Sequence, residues 1–126
     1  MTRYAPFLTA PTIAALLFVA HLSGLWTLLG SHPFWSASAT YLGLAAGLVV
    51  VVLIWGKPGW GVLILLFLLT ALAFYASTKG KEVFVGSYAE NSFAGRIWYF
   101  GFIGFIAGLF ASLVGLVSAF LPTPRS

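Results

Sequence analysis

Ser38 to Ser77 reads SATYLGLAAGLVVVVLIWGKPGWGVLILLFLLTALAFYAS, and Lys57 is its only charged residue. The run is too long for one membrane crossing, which needs about 20 residues at 1.5 Å rise each. Lys57-Pro58-Gly59 supplies a break. Proline ends the preceding helix and presets the first corner of a turn, and glycine accepts the positive φ that a type II turn takes next. Trp55 and Trp60 flank the break almost symmetrically, as amphipathic indoles do at headgroup level. The stretch therefore predicts a transmembrane helical hairpin with Lys57 at its water-facing tip.

Composition supports that reading. Of 126 residues, 61% are hydrophobic and only 6% charged, with mean hydropathy +1.06. A water-soluble domain carries about a quarter charged residues to cover its surface; lipid makes no such demand. The formal charge of +4 comes from basic residues scattered singly at segment ends, which is the pattern of interfacial anchoring. A nucleic-acid site would cluster them on one face, so no nucleic-acid partner is expected. The chain has no cysteine, hence no disulfide framework and no thiolate nucleophile or ligand.

Working outward from the hairpin gives an all-α integral membrane protein, a four-transmembrane-helix bundle in a single domain. The crossings are expected at about residues 7–30, 38–56, 59–77 and 97–121, with a polar loop over 78–96. A secretory signal peptide with cleavage near Ala37-Ser38-Ala39 fits the first crossing less well. Its apolar run exceeds the ~7–15 residues of a signal core, and the small-residue site lies well past its end. Four crossings place both termini on one side. Arg3, Lys57 and Arg125 then share that side, and Lys79, Lys81 and Arg96 share the other, a tie in the count that sets orientation. The working assignment is a bacterial inner membrane with cytoplasmic termini.

The fourth crossing carries a stripe of small residues: Gly101, Gly104, Gly108, Ser112, Gly115 and Ala119. Ala39, Gly43 and Gly47 make a counterpart in the second, and Ala20 and Gly24 continue the theme in the first. Small residues let helix backbones approach closely, gaining van der Waals contact and interhelical hydrogen bonds. Such stripes serve either assembly, as a homo-oligomer or within a larger membrane complex, or packing inside one chain. The Leu-rich third crossing (VLILLFLLTALAF) has no such stripe and is expected to face lipid.

His21 is the one ionisable residue deep inside an expected crossing. A buried ionisable group in a membrane is a functional candidate by default, although a neutral imidazole bonded to Thr70, Ser112 or a backbone group is the plainer reading. His32 lies eleven positions on, about 16 Å along a helix, so the two do not share a metal. Each would need a partner's ligand to hold a haem or pigment. No cofactor is expected.

Glu82 and Glu90 are the only carboxylates, and neither has a histidine at acid–base spacing. No nucleophile elbow, Ser/Lys pair or metalloprotease spacing occurs, so no enzyme is expected. The segment GSYAENSFAGR is read as a solvated loop. Two functions remain in view. One is a non-enzymatic accessory or assembly subunit that docks on other membrane helices through its small-residue stripes. The other is a small homo-oligomeric transporter or channel with His21 as proton or gating site.

Overall fold

The computed structural model of the chain describes residues 5–31, 35–54 and 59–120. They form five helices: α1 (Ala5–Leu22), α2 (Leu25–Leu28), α3 (Ser36–Leu53), α4 (Trp60–Gly86) and α5 (Ser92–Phe120). There is no strand among them. Two helices, α4 and α5, are long and apolar enough to cross a membrane, and α1 and α3 are shorter apolar helices.

The first expected crossing, residues 7–30, is broken. Ser23 turns its hydroxyl back onto the Ala20 carbonyl at 2.8 Å, and Gly24 takes the left-handed conformation at φ +84°, which an L side chain disfavours. The chain restarts as the single turn of α2, which buries Trp26. Gly24 thus acts as a helix stop, and not as a member of a packing stripe.

The expected polar loop over 78–96 is also corrected. Helix α4 runs on to Gly86 and α5 begins at Ser92, so the connection is only residues 87–91. Lys79 and Glu82 pair at 3.3 Å across one turn, while Gly80 and Phe84 lie against α5. Polar character here marks the outer face of a helix. Helix α4 closes with its Tyr88 N–H on the Val85 carbonyl and its Ala89 N–H on the Phe84 carbonyl. This is the Schellman arrangement, with Tyr88 at φ 56° where glycine is usual. Asn91 Oδ1 then accepts the Ala94 N–H at 3.0 Å and caps α5.

Helix α5 is the axis of the molecule. It packs most extensively on α4, then on α3 and α1, while α3 and α4 make no extensive contact with each other. The expected hairpin of second and third crossings is therefore opened, with α5 held between them. The reason lies in where the small residues sit. A Cβ on Gly43 would meet Ile106 at 2.7 Å, and one on Gly47 would meet Phe110 at 2.6 Å. A Cβ on Gly80 would meet the Trp98 backbone N at 2.6 Å. These notches all point at α5. The pairings advance together along α3 and α5 but run oppositely along α4, where Leu63, Thr70 and Ser77 face Gly115, Gly108 and Gly101. So α3 is parallel to α5 and α4 antiparallel.

The third crossing, expected to lack a packing face, has one. Leu63, Leu66, Thr70, Ser77 and Gly80 are buried at helical spacing, and the rest of α4 is largely exposed. The core joins this face to Phe102, Ile106, Phe110 and Val114 of α5, Ile13 and Leu17 of α1, and Val51 of α3. Trp55, Lys57 and Pro58 lie outside the described residues, as do His32, Arg3 and Arg125. Gly59 is extended at φ −88°, ψ 174° as the residue preceding α4. It does not take the positive φ expected of a type II turn, because an N-cap position uses the β region.

Candidate functional site

Where α2 ends, α3 begins and the α4–α5 connection approaches, the aromatic residues gather. Trp35 meets Trp98, Tyr99 and Phe102 with ring centroids 5.3, 5.1 and 5.9 Å apart. Trp26 meets Phe102 edge-on at 6.0 Å. Separations of 4.5–7 Å with tilted or edge-to-face rings are the favoured aromatic geometry. Helical spacing puts the pieces in place: Trp98, Phe102 and Phe105 follow one face of α5, and Trp35 sits at the entry to α3.

Polar bonds tie this end together. Trp98 donates its indole N–H to the Gly30 carbonyl at 2.8 Å. Ser38 Oγ and Tyr99 OH lie 2.7 Å apart. Ser77 donates its hydroxyl to the Trp98 carbonyl at 2.8 Å. Lys81 lies over the Trp98 ring, its ammonium 5.8 Å from the centroid. The sequence places Trp98 at the membrane interface as an anchor; in the structure its side chain is buried, the indole reaching from α5 to the Gly30 carbonyl just beyond α2. Trp60, at the opposite end, is exposed.

Beside this cluster is a cavity of about 460 Å³, lined by Trp35, Phe84, Ser92, Gly95, Arg96, Trp98 and Tyr99. That volume is within the about 300–1,000 Å³ usual for small-molecule sites. Two smaller spaces also lie among the described residues. One of about 330 Å³ between α1 and α3 is lined by Pro11, Leu44, Leu48 and Phe110 among others and has no charged side chain. Another of about 300 Å³ runs along the α4–α5 groove past Lys79, Val83 and Phe93. All the described charged residues, Lys79, Lys81, Glu82, Glu90 and Arg96, are at the aromatic end. The only ion pair among them is Lys79–Glu82, so neither Lys81 nor Arg96 is matched by a carboxylate.

The packing residues singled out in the sequence lie inside this one chain. Gly108 faces Thr70 and Gly115 faces Leu63, whereas a Cβ added to Gly104 would sit 3.4 Å from the Ala73 Cβ, an ordinary van der Waals distance. Ser112 is fully buried, its hydroxyl 3.5 Å from that of Thr70. Thr70 donates to the Leu66 carbonyl at 2.6 Å. His21 meets neither of them. Its ring lies 6.0 Å from Phe18, and its Nδ1 is buried without a hydrogen-bond partner among the described residues. Among those residues no three of His, Asp and Glu gather as a metal site would require.

The cavity residues Trp35, Phe84, Arg96 and Tyr99 were not legible as a group. They come from α4, α5 and the residue that precedes α3, and only the run Arg96–Trp98–Tyr99 signalled in sequence that charge and aromatics share a level. Comparison of the chain with protein-family models, curated proteins and solved structures gives no match, so the reading of the site stands on its geometry.

Proposed function

We propose that the chain is a non-enzymatic, four-span membrane protein that serves as an accessory or assembly subunit. The observation that carries this reading is the character of the interior. Among the described residues the buried polar side chains are the hydroxyls of Thr9, Ser31, Thr40, Thr70, Ser77 and Ser112, joined by the ring nitrogens of Trp26 and His21. Thr70 and Ser77 donate to backbone carbonyls. A conducting pore uses a polar stripe or a charged ring, and no charged side chain enters this core. Since Gly43, Gly47, Gly80 and Gly108 face helices of their own chain, docking on other membrane helices falls to the outer surfaces. The foremost of these is the α4 face bearing Ile64, Leu65, Leu68 and Leu72. The alternating directions of α3, α4 and α5 support three successive crossings, and the shorter apolar helix α1 supplies the fourth. The test is purification in mild detergent from the native membrane. Stoichiometric membrane partners, or a second copy, are expected; an unaccompanied monomer overturns the reading.

His21 keeps a second reading, a small homo-oligomeric transporter, in view. Its Nδ1 is buried with no hydrogen-bond partner among the described residues, and an ionisable side chain inside a membrane span is a functional candidate. In liposomes, proton-coupled flux lost in His21→Ala would favour it, and the absence of flux of small ions would remove it.

A further inference from the structure

We infer that the cavity between Trp35 and Arg96 is a binding site for an anionic phospholipid, which it holds by its phosphodiester headgroup. The inference rests on the membrane-spanning reading above. Three features converge. Arg96 lines the cavity and has no ion pair among the described residues, so its planar guanidinium is available for two parallel bonds to phosphate oxygens. Ser92, one turn earlier on α5, lines the same cavity, and a small rotation of its side chain lets its hydroxyl donate to a phosphate held at Arg96. The remaining walls, Trp35, Phe84, Trp98 and Tyr99, are large and apolar, suited to the glycerol backbone and the first methylenes of an acyl chain.

The level fits too. Tryptophan and tyrosine concentrate where the hydrocarbon gives way to headgroups, so a phosphate at Arg96 would lie among other phosphates. A zwitterionic lipid adds a cation to the same space, next to a guanidinium already lacking an anion, and is the poorer occupant.

The probe is phosphatidylglycerol brominated in its acyl chains, doped into phosphatidylcholine nanodiscs holding the full chain. Trp35 and Trp98 form the walls, so a seated brominated chain quenches their fluorescence. At equal mole fraction, brominated phosphatidylglycerol is expected to quench more than brominated phosphatidylcholine. The excess should correspond to about five-fold enrichment, the effect of one basic side chain near an anionic surface. Arg96→Gln should bring quenching down to the phosphatidylcholine level, with helicity and nanodisc insertion unchanged. Lys79→Gln, which alters a charge bordering the other groove, should leave the excess intact.

Equal quenching by the two lipids in the native chain overturns the site and leaves the membrane reading standing. So does an excess that survives Arg96→Gln. An excess lost equally in Lys79→Gln means diffuse surface attraction, and one abolished by inorganic phosphate in the bath means a free anion; either overturns the lipid site. A chain that does not enter nanodiscs at all overturns the membrane reading and the site with it.

Discussion

Helices α4 and α5 are alike in length and apolarity, 27 and 29 residues long, yet they occupy opposite stations. Of the most apolar window of each, 22% is buried in α4 and 44% in α5. Hydrophobicity does not decide which helix becomes the axis, because lipid accepts leucine as readily as a protein core does. Close approach decides it. Helix α5 offers Gly101, Gly108 and Gly115 to α4 along one side and receives Gly43 and Gly47 of α3 on another. Helix α4 has one such seam and otherwise bears leucine outward.

That contrast breaks most severely where backbone meets backbone. A side chain on Gly80 would run into the Trp98 nitrogen and the Ala94 carbonyl of α5, at 2.6 and 2.8 Å. Neither can move without the helix. Gly80→Leu should cost about 3 kcal/mol or more, seen as a large drop in the denaturant midpoint in detergent. Less severe is Leu63→Ala, which empties a buried site facing Gly115 and should cost about 2 kcal/mol. Ser77→Ala deletes the hydroxyl bond to the Trp98 carbonyl. Interhelical bonds of this kind are worth about 0.6 kcal/mol on average in membranes, so a small but measurable shift is expected. Smallest is Leu68→Ala on the outer face of α4, expected within about 0.5 kcal/mol. If Leu68→Ala matched Leu63→Ala in the same melts, the one-seam description of α4 would fail.

Much of the helical content was legible, since apolar runs of this length admit little else. The small-residue stripes could be read as close-approach surfaces, but their partners could not. Glycine advertises a notch without saying what fills it, so Gly43 and Gly108 were equally compatible with a second chain. The α4 seam was hidden because Thr70 and Ser77 are isolated among leucines, and because Gly80 sits in a segment whose lysines suggested a loop. Spacing held the corrective signal: Lys79 and Glu82 are one turn apart, and Gly80 and Phe84 continue the buried face. The aromatic cavity was legible only at the level of Arg96, Trp98 and Tyr99. Trp35 and Phe84 reach it through tertiary packing that no local pattern records.

The short turn after Gly86 has a practical use. At 1.5 Å per residue α4 is about 40 Å long, against about 30 Å of hydrocarbon, so on the membrane-spanning reading proposed above its charged final turns and the Tyr88–Ala89 corner would stand clear of the lipid. Tyr88 is 92% exposed there. An epitope spliced between Ala89 and Asn91 would ride on a stiff mast, labelled by antibody from one compartment only. Intact and permeabilised cells would then reveal which way the molecule faces, a question its evenly divided lysines and arginines leave open.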